Sequence, residues 1–146
     1  MGNMDLDKRA IWVPLLEKAW SKIKGSYLGS DGGFIQNGIR SLAGCPVFTY
    51  FTADQNETDT WNMLKAYDEA HGSYLLGAAT VGSDTSRNSF GVANGHAFTI
   101  LSVFSLRDKF GAEEYQLYMI RNPWSNTYYS GDFHYRDSKW TDHRKS

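Results

Sequence analysis

Asn94-Gly95-His96-Ala97-Phe98-Thr99-Ile100 and, after a charged turn, Tyr118-Met119-Ile120-Arg121-Asn122-Pro123-Trp124 are two apolar runs, the first led by a histidine and the second ended by an asparagine. Runs rich in aromatic and β-branched residues favour strands. The pattern predicts strands over about 96–106 and 115–121, joined by the turn Arg107-Asp108-Lys109-Phe110-Gly111. If the two are antiparallel neighbours, the start of one and the end of the other lie at the same sheet end. His96 and Asn122 are then within reach of each other. For an isolated pair, incidental polar residues at the ends of a hairpin are the commoner explanation, so the flanks decide.

Working outward, residues 7–24 are helical in period. Ile11, Leu15, Ala19 and Ile23 lie on one side, and Trp12, Leu16 and Trp20 widen the stripe. Pro14 is tolerated in a first turn, which predicts a regular helix from near Trp12 that stops at Gly25. Gly29-Ser30-Asp31-Gly32-Gly33 is a turn cluster, and no Gly-Lys-Ser/Thr follows to make it a phosphate loop. A short helix over 34–42 ending at Gly44, a strand over 45–51, and a helix over about 60–70 capped by Thr58 or Asp59 come next. Trp61, Leu64 and Tyr67 face inward from that last helix, which stops at Gly72. Residues 73–81 read as a small-residue strand. Residues 82–95 form a long polar loop leading into His96, of the kind that is usually functional or mobile. Beyond Trp124, the aromatics Tyr128, Tyr129, Phe133, Tyr135 and Trp140 must pack on something.

A chain of 146 residues is one domain's worth and can bury a core. Fifteen basic and sixteen acidic side chains leave a net charge of −1 with no long run of either sign. Neither nucleic acid nor an anionic membrane is expected as a partner. One cysteine makes no internal disulfide, and no leader or long apolar span is present, which fits a cytoplasmic setting. Gly2 lies where a myristoylation signal has its glycine, but Leu6 stands where Ser or Thr is expected. Residues 1–8 are read as a boundary segment.

Gly95-His96-Ala97-Phe98-Thr99-Ile100 followed by Ile120-Arg121-Asn122-Pro123-Trp124 resembles the histidine and asparagine motifs of the calpain family, papain-like cysteine endopeptidases. Trp12-Val13-Pro14-Leu15-Leu16-Glu17-Lys18-Ala19-Trp20 is similar to the tryptophan-led helix opening the second half of that family's protease core. Gly32-Gly33, Leu42-Ala43-Gly44 and Gly72-Ser73-Tyr74-Leu75-Leu76-Gly77 follow in the family's order, so the resemblance covers about residues 9–140. It implies an α+β fold over 1–146: a papain-like half-domain with an antiparallel sheet or half-barrel, a long amino-terminal helix and shorter helices. His96 is implied as the catalytic acid/base and Asn122 as its orienting partner. Trp124 is implied as the apolar shield, and Gly95 as the point of close substrate approach, its carbonyl accepting from a substrate amide. By the same resemblance, loop 82–95 looks like the family's gating loop beside the substrate cleft.

Such a site also needs a cysteine thiolate in contact with imidazolium. Cys45 has the right chain order, but Pro46 and a strand-like run follow it, whereas a papain-like nucleophile opens a helix. It is read as a buried, inert thiol. The implied nucleophile belongs to a separate cysteine-bearing half, so this chain by itself is expected to be inactive.

The resemblance also implies calcium, a hard cation that takes six to eight oxygen ligands. Yet Tyr128 and Tyr135 stand where it puts acidic ligands, and Ser125 replaces a usual glycine. Asp132, Asp137 and Asp142 are read as solvated surface charge. The metal ligands are therefore unknown, and calcium is carried only as an implication. His71, His134 and His143 lack zinc spacing and are read as surface or cap residues.

The expected function is the His/Asn contribution to an intracellular endopeptidase acting on peptide or protein substrates. The alternative is a noncatalytic calpain-like module that binds peptide or protein through the same cleft. An aromatic-rich carbohydrate-binding sandwich would use the Trp and Tyr content but leaves the ordered motifs unexplained.

Overall fold

The two apolar runs pair antiparallel. Strands β2 (Ala97–Arg107) and β3 (Glu113–Arg121) form the long hairpin of a three-stranded sheet of order β1-β2-β3, with β1 (Gly77–Ala79) antiparallel on the other edge of β2. The computed structural model describes residues 11–124 and 128–145. The chain divides into two compact units, one ending at Val47 and the other beginning at Phe48.

The sheet belongs to the second unit. Its hairpin closes as the charged turn requires: the Asp108 carboxylate accepts from the backbone N–H groups of Phe110 and Ala112, and Gly111 takes φ +88°. The register steps between Ile100↔Ile120 and Ser102↔Met119, so Leu101 is an extra residue on β2. A bulge of this kind reverses the parity of the inward face. Phe98 and Ile100 precede it on even numbers, and Val103, 3% exposed, follows on an odd one.

Helix α3 (Glu57–Glu69) is tied to the bulge. Asp68 Oδ2 accepts from Ser102 Oγ at 3.0 Å and from Val103 N at 2.9 Å. A turn and more earlier in the helix, Trp61 is 4% exposed and meets Tyr118 of β3 edge-on at 5.3 Å between ring centroids. Leu64 and Tyr67 are half-buried. The cap of α3 corrects the expectation: Asn56, two positions before the expected Thr58, accepts from Thr58 N and Asp59 N, and the helix opens three residues early. An asparagine with extended backbone is an N-cap of the first rank.

Two expected strands are corrected as well. Residues 45–51 are not paired into the sheet, and a 3-10 turn, Thr52–Asp54, ends the segment. Of 73–81, only Gly77–Ala79 forms a strand, with one backbone bond continuing its register at each end, Ile100 N to Leu76 O and Thr80 N to His96 O. Aromatic content favours a strand only where a neighbouring edge is available.

Past Trp124 the expectation of a packed aromatic tail is met only in part: Phe133 and Trp140 are half-buried, whereas Tyr128, Tyr129 and Tyr135 are exposed, Tyr135 by 72%. Phe133 meets Tyr115 at 4.9 Å and Trp140 at 5.1 Å. Trp140 Nε1 donates to the carbonyls of Phe133 and His134, and the short helix α4 (Asp142–Lys145) follows.

The first unit contains α1 (Trp12–Ile23), a 3-10 turn Leu28–Ser30, and α2 (Ile35–Ala43). Pro14 sits in the first turn of α1, and α2 ends on Gly44 at φ +65°, a left-handed C-cap suited to glycine. Ser21 is buried and shares a 2.7 Å hydrogen bond with Ser30. The apolar stripe of α1 is largely exposed, Leu15 by 57% and Ile23 by 75%. Among the described residues, four α-helices and an antiparallel sheet make up the α+β class of the half-domain the sequence resembles.

Candidate active site

Thr99 pairs with Arg121 at the end of the hairpin. Carrying that register outward sets Asn122 across from Phe98 and Trp124 across from His96, and residues two apart share a face. The four side chains therefore gather on one side of one sheet end. His96 Nε2 lies 3.1 Å from Asn122 Oδ1. The same Oδ1 accepts the backbone N–H of Trp124 at 2.9 Å. Because a backbone N–H can only donate, that amide atom is the oxygen, and Nε2 must be the ring nitrogen that carries the proton toward it. The Nδ1 nitrogen is left to exchange a proton with a substrate or a nucleophile.

Two rings enclose the imidazole. Trp124 lies 4.6 Å from it between centroids, and Phe98 meets it edge-on at 4.8 Å. Phe98 is buried and His96 half-buried. A hydrogen bond set among apolar rings is stronger than one in water. Phe98 was not singled out in the sequence, although strand alternation places it beside His96.

The backbone of His96 is held by Thr80, which carried no sequence signal. Thr80 Oγ1 accepts from His96 N at 3.1 Å and donates to Ala93 O at 2.7 Å, while Thr80 N donates to His96 O at 2.9 Å. Gly95 sits at the neck of loop 82–95 with φ +56°, its N–H bonded to Val81 O. A Cβ there would lie 2.5 Å from Gly82 O, so the close approach at Gly95 includes the chain's own backbone.

That loop has more order than its composition suggests. Arg87 and Ala93 form an antiparallel bridge, Asn94 N donates to Ser86 O, and Asn88 Oδ1 accepts from Phe90 N and Val92 N across the tip. The tip lies on the segment after Trp124: Ser130 N donates to Phe90 O at 3.0 Å, and the Arg87 guanidinium stands 3.5 Å above the Tyr128 ring.

Cys45 directly follows the carboxyl end of α2. It opens no helix, and it is half-buried rather than the buried thiol expected. His71 follows α3 with φ +35°, His134 Nδ1 accepts from Arg136 N in a turn, and His143 lies in α4. Asp132 pairs with Lys139 at 2.5 Å. Asp137 departs from a plain surface charge: its carboxylate accepts from Lys139 N and Phe133 N, and these bonds hold it below the usual carboxylate range. Ser125 lies outside the described residues. Among the described residues no cluster of three or more His, Cys, Asp or Glu is placed to hold a metal ion.

Comparison with known proteins bears on the same site. The family model for calpain family cysteine proteases matches residues 4–146. The chain is 32% identical over 143 residues to the calpain-type cysteine protease ADL1 of Oryza sativa subsp. japonica, covering 92% of this chain and 6% of that protein. Against the calpain-type cysteine protease DEK1 of Arabidopsis thaliana it is 31% identical, with the same coverage. Against Calpain-9 of Homo sapiens it is 27% identical over 139 residues, covering 92% of this chain and 19% of that protein. This chain thus spans only a small part of the length of the curated relatives it matches. With the match running through the whole described sheet and both ends of its histidine–asparagine pair, the chain belongs to the calpain family of cysteine proteases.

Proposed function

We propose that this chain supplies the acid/base half of a calpain-type cysteine endopeptidase acting on peptide bonds of intracellular proteins. The observation that carries the reading is Asn122 Oδ1, which accepts from both His96 Nε2 and Trp124 N and so fixes the ring with Nδ1 available. In the assembled enzyme a thiolate from a companion cysteine-bearing half attacks the peptide carbonyl carbon. The imidazolium of His96 gives its proton to the leaving amine, and an acyl-enzyme remains. His96 then takes a proton from water as the water attacks the acyl carbon, and the thiolate is released. Asn122 holds the ring through both transfers, a bond worth about 1.5–3 kcal/mol when the ring is charged. Trp124 keeps water from that bond, and the Gly95 carbonyl accepts from the substrate backbone.

The chain alone is inactive in this reading, because its one cysteine opens no helix. The exposed apolar stripe on α1 supports a companion half, since a contiguous apolar surface marks a contact site. A cytoplasmic setting belongs to the same reading and is supported by the lone cysteine. Among the described residues no helix is long and apolar enough to cross a membrane.

The test is turnover of a fluorogenic peptide by this chain joined to a cysteine-bearing calpain half. His96→Ala is expected to lower kcat by about 10²–10⁴-fold, as loss of a general acid/base does. Asn122→Ala is expected to lower kcat with little change in KM, because orientation matters most in the transition state. Unchanged turnover in His96→Ala would overturn the assignment. Peptide binding without hydrolysis by the unsubstituted assembly would favour the noncatalytic module.

A further inference from the structure

Loop 82–95 ends on His96, so whatever seats the loop also sets the backbone of the acid/base residue. Its tip rests directly on the backbone of the segment after Trp124. A Cβ at Gly91, where φ is +78°, would lie 2.0 Å from Tyr128 O, and Ser130 N donates to Phe90 O. The side-chain contact at this seat is Arg87 over Tyr128, with 3.5 Å between the guanidinium and the ring centroid. Tyr128 is one of the two positions where the family resemblance puts an acidic calcium ligand. At the other, Tyr135, the Arg136 guanidinium stands 5.0 Å from the ring.

At both positions a phenol ring, not a carboxylate, lies under a guanidinium. A dication needs anionic oxygens and is repelled by a guanidinium. The neighbouring carboxylates are engaged, Asp132 by Lys139 and Asp137 by two backbone N–H groups. These residues do not fit calcium.

We propose that Arg87 is a positioning residue that latches loop 82–95 onto Tyr128 and holds the backbone at Gly95 and His96 without calcium. The guanidinium supplies at this seat the positive charge that a metal ion would otherwise bring, and the ring face is its partner. Gly91 is required because the two backbones touch. The catalytic significance of the latch rests on the function proposed for His96, but the latch itself is a property of this chain and can be measured without turnover.

The test is amide hydrogen exchange on the 146-residue chain, followed by NMR at Ser130, Gly95 and His96, with Val103 in the sheet as an internal reference. It is run in millimolar calcium chloride and in chelator. The unsubstituted chain is expected to give the same protection in both. Arg87→Gln is expected to speed exchange at Ser130 and Gly95 roughly two- to fivefold, the scale of one exposed cation–π contact, with Val103 unchanged. Arg87→Lys is expected to restore part of the protection. Gly91→Ala, acting on the backbone contact, is expected to release the same amides.

Slower exchange at Ser130 on adding calcium chloride would overturn the proposal, as would an Arg87→Gln variant that exchanges like the unsubstituted chain. Equal acceleration at Val103 and Ser130 would also overturn it, since Arg87 would then support general stability. Failure of the assembled enzyme to turn over peptide would sink the role of His96 and leave these exchange rates untouched.

Discussion

Thr80 illustrates how a single residue can matter without announcing itself. Its hydroxyl accepts from His96 N and donates to Ala93 O, joining both sides of the loop neck. Thr80→Val keeps the shape and removes both bonds, leaving a half-buried N–H beside His96. The expected loss is about 1–3 kcal/mol of stability, with faster exchange at the His96 amide. Thr80→Ser is expected to recover most of it. A Thr80→Val chain with the urea midpoint of the parent would remove the hydroxyl from this account. The meeting of His96, Asn122 and Trp124 was legible because motif and strand ends coincide. Thr80 and Arg87 were not, since each acts through a partner distant in the chain, and Phe98, though only two residues from His96, is an ordinary residue type for a strand.

Among the elements, β2 depends most on something outside its own run. The extra residue Leu101 breaks the ladder, and Asp68 of α3 takes up the Val103 N–H there, with Val103 itself buried. Asp68→Ala is expected to cost about 1–3 kcal/mol by leaving that donor unsatisfied, whereas Asp68→Asn keeps an acceptor and costs less. Equal urea midpoints for the two variants would show that the carboxylate is no clamp. Helices α1 and α2 were readable to within a residue or two, from Pro14 near one start and Gly44 at one end. The start of α3 was misplaced because several residues in a row can cap, and only the backbone conformation at Asn56 selects among them. Residues 45–51 have strand-forming residues but no paired edge, which local propensity does not reveal.

At the scale of the whole molecule, acid is the informative variable. Glu113 is held below the usual carboxylate range by hydrogen bonds from Ser105 and then Gln116, and Asp137 by the backbone N–H groups of Lys139 and then Phe133. A carboxyl group with a depressed value in the folded chain binds fewer protons than it does unfolded. Its contribution is present above the unfolded value, about 4, and is lost as pH falls through the folded one. Stability is therefore expected to fall with pH below that point, and more shallowly in Glu113→Gln and in Asp137→Asn. Urea midpoints measured through this window check it, and parallel curves for parent and variants would exclude both groups. The sequence by itself determined the fold class, the succession of the three longer helices and the hairpin strands, and the histidine and asparagine at one sheet end, because periodicity and motif order are local and survive without coordinates. Tertiary structure decided the tautomer at His96, the clamp from α3, and the seat of loop 82–95 on Tyr128. Each of those depends on a hydrogen bond or ring contact between segments far apart in the chain, which only the folded backbone brings into register.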